Sequence, residues 1–382
     1  MGLKEYLASK PLYYEKIDYS RMPRIYEKIK EHFEHFDIIH VIGTNGKGTT
    51  GRFLAEALFS MGFRTGHYTS PHIMEFNERI WLNGENASYK ELEAAHKELQ
   101  DILTDSDADS LSYFEYTTLL AMLVFRECEY IVMEAGLGGE YDATAVFPKI
   151  LTLVTPIAYD HEAFLGSNIK EIATTKANAI QNSAVIAKQR YNEVYDVLKD
   201  IGYKKSLNIY NVNELLNEKD ENNIKEISKE LSLAPYLTDN LSLSVAALKF
   251  LKLSYEVKDF KNGPLFGRLT KIKENIILDV GHNTLAAQSL LESLRGKKYI
   301  LVYNSYKDKK YKEILSILKP IILHVEIIEV KDARIEALTD IQKSLNDLDI
   351  QYRMFNGIKE QNEYLVFGSF SVVETFLREY YE

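Results

Sequence analysis

The stretch that most constrains this chain is residues 40–50, HVIGTNGKGTT. An apolar run, residues 38–42, leads into it, and an amphipathic run, residues 50–61, leads out. That order predicts a strand, a glycine-rich turn and a helix. Such a turn aims backbone N–H groups and a helix N-terminus at one point, which suits a phosphate. Lys47 adds a mobile positive charge, and Thr49 or Thr50 a hydroxyl for a metal ion. The common phosphate loop reads GxxxxGK followed by Ser or Thr. Here Val41 stands where its first glycine would be, and Gly48 separates Lys47 from Thr49. The loop is therefore a variant, GTNGKGT. A turn that only joins strand to helix is the plain alternative, but it explains neither the lysine nor the hydroxyls.

At 382 residues the chain is too long for one ordinary core and suggests two domains. Its net charge of −10 argues against nucleic-acid or anionic-membrane partners, which need basic faces. A small anionic substrate still fits a local basic pocket. The single cysteine, Cys128, allows no internal disulfide and sits in an apolar run, as a core residue would. The N-terminus, MGLKEYLASK, has no long apolar segment of a signal peptide, and no window approaches the roughly 18 apolar residues of a membrane span. The expectation is a soluble, cytoplasmic protein.

Along the chain, strands alternate with helices. Ile25, Ile29 and Phe33 at helical spacing predict one helix before the first strand. Residues 63–68 read as a strand stopped by Thr69-Ser70-Pro71-His72, with a loop to about Asn86. Ser88 opens a helix, 104–112 read as a polar loop, and 116–125 as a buried helix. Residues 130–133 form a strand ending in Glu134, followed by a second glycine turn, EAGLGGEYDAT. Residues 150–155 are a strand with Asp160 and His161 just beyond; 168–179 a helix; 184–187 a strand; 203–230 short exposed strands and loops; 241–251 an apolar helix. Residues 254–266 are the best linker, punctuated by Gly263-Pro264. Strands at 276–278, 299–303, 322–330 and 364–367 then make a second, smaller α/β domain. The expected architecture is a mostly parallel sheet with helices on both faces, residues 1–262, followed by an α/β domain, residues 263–382.

In open α/β sheets ligands bind beyond the carboxyl ends of strands. Lys47, Thr49, Ser70, Glu134 and His161 all fall there, and one sheet would bring them to one rim. The types suit a triphosphate and Mg²⁺, which takes one or two carboxylates plus phosphate oxygens. Gly267-Arg268 follows the linker, where a hinge would swing an arginine onto phosphates, and Asp279-Val280-Gly281-His282-Asn283 follows a strand. By chemistry alone Lys176 reads as a surface lysine, while Ser70 reads equally as turn chemistry or a site hydroxyl, and the second-domain groups equally as a linker arginine and strand-to-helix turn or as phosphate and nucleotide contacts.

These segments, in this order, resemble folylpolyglutamate synthase/dihydrofolate synthase, a branch of the Mur ligase superfamily. The resemblance runs over essentially the whole chain. HVIGTNGKGTT resembles the family's phosphate loop, and HYTSPHIMEFNERIWLNG its serine–proline segment and folate-side loop. YFEYTTLLA resembles the FE segment, IVMEAGLGGEYDAT the EVGLGG-x-x-DAT segment and IAYDHEAFLG the DH-x-x-x-LG segment. FGRLTKI, DVGHN and LVFGSF resemble second-domain motifs. The chain departs at Glu140 and Ala145, where the family has Arg and Asn, at Thr175 in place of Glu, at Thr284 in place of the Pro that ends the DGAHNP motif, and at Leu265-Phe266 in place of Trp-Pro. It is also somewhat short for the family.

The resemblance implies a Mur ligase-like fold with a Rossmann-like second domain, and an ATP- and Mg²⁺-dependent amide ligase. It would add L-glutamate to dihydropteroate, reduced folates or both through an acyl phosphate. By resemblance, the loop Gly43, Thr44, Asn45, Gly46, Lys47, Gly48, Thr49 and Thr50 would hold ATP, with Asn240 near the adenine. Thr49, Ser70, Glu134 and His161 would ligate Mg²⁺. Lys176 takes the place of the carbamylated lysine, Arg268 would reach the phosphates, and Asp279 and His282 would lie on the nucleotide side. Phe114 and Ala143 match positions lining the pterin pocket. The expected partners are these small molecules alone, and the expected state a monomer. The alternatives are a Mur-type ligase acting on a UDP-sugar peptide and a non-catalytic nucleotide-binding module.

Overall fold

The computed structural model describes residues 1–11, 18–33 and 36–381. The first sheet has eight strands: β1 Asp37–Ile42, β2 Thr65–Tyr68, β3 Ile80–Leu82, β4 Glu85–Asn86, β5 Tyr130–Glu134, β6 Leu151–Val154, β7 Ser183–Ile186 and β8 Asn208–Asn211, in the order β4-β3-β2-β5-β1-β6-β7-β8. All neighbours are parallel except the β2-β3-β4 edge. The second sheet has six: β9 Thr270–Lys273, β10 Ile276–Asp279, β11 Tyr299–Tyr303, β12 Ile322–Ile327, β13 Tyr352–Met354 and β14 Tyr364–Phe367, in the order β13-β12-β11-β14-β10-β9. Only β9 runs antiparallel.

Burial explains the run-like strands. β1, β5 and β6 are covered on both faces, so they read as continuous Ile, Val and Leu rather than alternating. One face carries the helices Tyr89–Ile102 and Tyr113–Val124, each begun by a serine capping box, Ser88 with Glu91 and Ser112 with Glu115. The other carries the helices Lys47–Ser60 and Pro235–Phe250.

Several sequence expectations are corrected. Residues 50–61 are not amphipathic in effect: the helix Lys47–Ser60 is buried nearly all round, because Pro235–Phe250 lies across the side turned away from the sheet. Residues 104–112 hold a helix, Asp105–Ser110, capped by the Thr104 hydroxyl accepting from Asp107 N. Its polar residues, Thr104 and Asp107, serve the helix cap and so resemble a loop in composition. Residues 203–230 are chiefly helical, with Glu218–Glu230 packing Ile224 and Ile227 inward under a polar outer face. The loop before Asn86 holds a 3₁₀ turn, Phe76–Arg79, and the β3-β4 hairpin. The linker shortens, since Phe260 is buried in the first core. Cys128 is buried, and burial pushes its thiol up to about 12.

The carboxyl ends of the two sheets face each other. From the first, Ile73 inserts into the second sheet's apolar core, so close to Gly267 that an added Cβ there would lie 2.5 Å from Ile73 Cδ1.

Candidate active site in the cleft between the sheets

β1 lies between β5 and β6, with Val41 opposite Glu134 and Ile42 opposite Val154. The chain order reverses there, which opens a crevice at the strand ends. Gly43 (φ +140°) and Gly46 (φ +88°) make the turn. A Cβ on Gly43 would lie 2.0 Å from Thr155 Oγ1, and one on Gly46 2.4 Å from Asn240 Oδ1. The amides of Thr44 and Asn45 donate to the Pro156 carbonyl at 2.9 and 3.3 Å, and Thr44 Oγ1 accepts from Ala158 N at 3.0 Å. Thr44 thus shapes the loop. The amides that open onto the cleft are those of Lys47, Gly48 and Thr49 at the helix start, which have no intrahelical acceptors, whereas Thr50 N already donates to the Gly46 carbonyl at 2.9 Å.

Lys47 Nζ lies 3.6 Å from Glu134 Oε1 and donates to the Thr44 carbonyl at 3.3 Å. Glu134 is buried and its other oxygen accepts from the Thr69 hydroxyl and, at 3.2 Å, from Ser70 N. The Thr49 and Thr50 hydroxyls are buried with no hydrogen-bond partner among the described residues. His161, in a left-handed backbone (φ +51°), opens the short helix Glu162–Leu165 at the cleft wall. Among the described residues no three His, Cys, Asp or Glu side chains converge as a protein-only metal cage. One carboxylate, one imidazole and orphaned hydroxyls fit instead a hard ion that keeps waters and takes phosphate oxygens.

Lys176, assigned by chemistry to the surface, is buried: its Nζ donates to the Gly43 carbonyl at 2.8 Å. Burial, with the Lys47 charge adding, lowers it to about 7 against the pull of Asp160 and Asp142. Such an amine loses its proton far more readily than an ordinary lysine, which opens it to nucleophilic chemistry near neutral pH.

From the second sheet, Asp279 accepts from Leu269 N at 2.9 Å, Gly281 N at 2.7 Å and Tyr236 OH at 3.0 Å. It thereby shapes the turn that carries Arg268. The Arg268 guanidinium donates to the Gly267 carbonyl at 3.1 Å and lies 5.4 Å from the Phe370 ring centre. His282 Nδ1 donates to the Val280 carbonyl at 3.2 Å, and Nε2 is 3.6 Å from Asp160 Oδ2. Asn240 is buried against Gly46, its amide nitrogen without a partner among the described residues.

A cavity of about 500 Å³ joins these groups, with Lys47, Thr49, Ser70, Glu134, His161, Lys176, Asn240, Arg268, Asp279 and His282 all on its wall. Thr50 is fully buried and is not on that wall. Phe114 and Ala143 do not line it. Phe114 covers Gly136, where an added Cβ would lie 2.6 Å from its ring, so one glycine separates this cavity from the aromatic side. Glu140 faces neither: it accepts from Asn178 Nδ2 at 2.7 Å. Near it Lys149, buried and lowered by burial to about 7 with Asp142 opposing, donates to the Ala145 carbonyl at 2.7 Å.

Three residues given no role from sequence hold the cleft together. Asp160 accepts from Lys309 Nζ at 2.7 Å and from Asn283 Nδ2 at 3.1 Å, and Asn283 pairs with Asn45. Burial raises the Asp160 carboxyl, but His282, His161 and Lys309 outweigh it and hold the group well below the usual range. Asp160 and Asn283 stood inside motifs; Lys309 was one lysine in a lysine-rich loop, and nothing in its spacing marks it.

No family model matches the chain. A dihydrofolate synthase/folylpolyglutamate synthase of Haemophilus influenzae is 28% identical over 420 residues, spanning 95% of each chain. A crystal structure of Helicobacter pylori folylpolyglutamate synthetase is 37% identical, with a TM-score of 0.81 over 99% of this chain and 97% of that one. A bifunctional folylpolyglutamate synthase/dihydrofolate synthase from Yersinia pestis, complexed with AMPPNP and a Mn ion, shares the fold at 24% identity, with a TM-score of 0.83 over 99% of this chain and 98% of that one. With the identity and coverage of the Helicobacter pylori match, the chain belongs to the folylpolyglutamate synthase/dihydrofolate synthase family.

Proposed function

We propose that this protein is an ATP-dependent ligase that adds L-glutamate to dihydropteroate, to reduced folates, or to both, through an acyl phosphate. One observation carries the reading. The phosphate-loop lysine, a buried carboxylate beside an orphaned threonine hydroxyl, and an arginine from the second sheet face one cavity. A nucleotide switch needs no site for an acyl phosphate. The relatives' activities, and the AMPPNP and Mn ion in the Yersinia pestis protein, support it.

In this reading the ATP phosphates lie along the amides of residues 46–49 and the Lys47 side chain, with Asn240, Asp279 and His282 toward the nucleoside. A carboxylate oxygen of the pterin substrate attacks the γ-phosphorus, the bond to the bridging oxygen breaks, and ADP leaves. The glutamate amine then attacks the acyl carbon, loses a proton and expels phosphate. Phosphorylation is needed because oxide cannot leave a carboxylate. Two anions must meet, so Lys47 and Arg268 are placed to neutralise developing charge. Thr49, Ser70, Glu134 and His161 would hold Mg²⁺, which when bound screens the phosphate oxygens. Lys176, lowered to about 7 by burial and so part-neutral near that pH, is suited to carbamylation, in which the neutral amine adds CO₂ and loses a proton to leave a carbamate beside the metal site. Phe114 and Ala143 would bind the pterin ring beyond Gly136. We place the boundary between the units at residues 262 and 263. We further propose a monomer working in the cytoplasm on small molecules, without nucleic-acid or membrane partners, in keeping with the net charge of −10.

The test is phosphate release from Mg·ATP. Release that needs both glutamate and either dihydropteroate or tetrahydrofolate is expected, with a product heavier by one glutamyl unit. Release indifferent to both would refute the reading.

A further inference from the structure

Four side chains join the two sheets at the edge of the cleft. Asn45 and Asn283 form a reciprocal amide pair, each Nδ2 donating to the other's Oδ1 at 2.9 and 2.8 Å. Asn283 also donates to Asp160 Oδ2 at 3.1 Å, and Lys309 donates to Asp160 Oδ1 at 2.7 Å. Asn45 and Asp160 follow β1 and β6 of the first sheet; Asn283 and Lys309 follow β10 and β11 of the second. The Asp160 and Lys309 side chains are only 8% and 6% exposed. Nearby, Lys310 pairs with Glu162 at 2.6 Å in the same sense across the cleft.

We infer that Asp160, Lys309, Asn283 and Asn45 are positioning residues: a polar latch that sets the second sheet in register with the phosphate loop. The inference rests on the ligase reading and deepens it. Buried charges must be paired, and pairs and amide bonds are satisfied only over a few tenths of an ångström. The latch therefore specifies one closed geometry where an apolar contact would tolerate sliding. Its two ends sit next to the groups that must meet. Asn45 lies two residues before Lys47, and Asp160 adjoins His161. Asn283 ends the turn begun by Asp279, whose carboxylate holds Leu269 N beside Arg268. Opening the latch would move Arg268 away from Lys47 without touching the first-turn amides that face the phosphates. The closed register also keeps water from an acyl phosphate awaiting the amine.

The test compares Lys309→Met, Asp160→Asn and their double variant with the unaltered protein, using Lys309→Arg as the conservative control. The expected result is a fall in kcat of at least about tenfold, with the ATP dissociation constant changed by less than about threefold. Phosphate released per amide formed should rise above the unaltered protein's value. Lys309→Arg should restore most of the coupling, and the double variant should be no worse than the worse single one. An unchanged kcat and phosphate-to-amide ratio in Lys309→Met would overturn the inference, as would a loss confined to ATP affinity. If the unaltered protein forms no amide, the ligase reading itself fails. The latch is then still judged by small-angle scattering: Lys309→Met should expand the nucleotide-free protein, and an unchanged radius of gyration refutes it.

Discussion

On the phosphate-loop side, the cleft is shaped by backbone. Gly43 and Gly46 take positive φ with no room for a Cβ, and the Thr44 and Asn45 amides are fixed on Pro156. On the second-sheet side, it is shaped by side chains. Asp279 gathers Leu269 and Gly281 and reaches across to Tyr236 of the first sheet's helix Pro235–Phe250, while Arg268 rests on Phe370 and its own chain. The first surface is built into the end of β1; the second meets it chiefly through side-chain ties such as Lys309 to Asp160. That is the division a ligase needs, a rigid cradle for phosphates and a closing wall that brings charge.

The comparison is broken most severely at Gly43. Gly43→Ala forces a Cβ to within 2.0 Å of Thr155 Oγ1 in a left-handed backbone, so a loss of about 3 kcal/mol or more in urea unfolding is expected, together with nucleotide binding. A change below about 0.5 kcal/mol would show that the loop is not rigid. Lys47→Ala should lower kcat about 10²–10³-fold while circular dichroism shows the fold retained. Arg268→Ala should cost less, about 10–100-fold in kcat, with the ATP dissociation constant nearly unchanged, since the arginine comes from the second sheet and not from the phosphate loop. Equal losses in both constants would make Arg268 part of the rigid cradle instead. The smallest effect is graded by pH. Because the Lys176 amine is lowered to about 7, its neutral form dominates above that value, whereas an ordinary lysine would still be charged. With ¹³C-bicarbonate, a carbamate signal absent in Lys176→Gln should therefore grow as pH rises through about 7. No growth until far more alkaline pH would contradict the burial of that amine.

The same contrast explains what the sequence made legible. Gly43, Gly46, Lys47 and Thr49 lie within one short stretch, residues 43–49, so local spacing announces the cradle, and Glu134 follows because its strand is a plain apolar run ending in a carboxylate. The closing wall depends on groups far apart in the chain. Lys309 meets Asp160 across 149 positions, and Tyr236 meets Asp279 across 43, with no periodicity linking them. Lys176 illustrates the limit: its helix reads as exposed, and only the packing against Gly43 reveals a buried amine. Elsewhere, residues 203–230 misled because polar helices that bury a narrow stripe, Ile224 and Ile227 here, resemble loops in composition.

The central claim is that the cleft activates a carboxylate by moving phosphate onto it. The measurement that reads this directly is oxygen transfer. With the pterin substrate labelled by ¹⁸O in its reacting carboxylate, Mg·ATP and glutamate, each amide formed should deliver one carboxylate oxygen into the released phosphate. Amide formation with unlabelled phosphate would contradict the acyl-phosphate route.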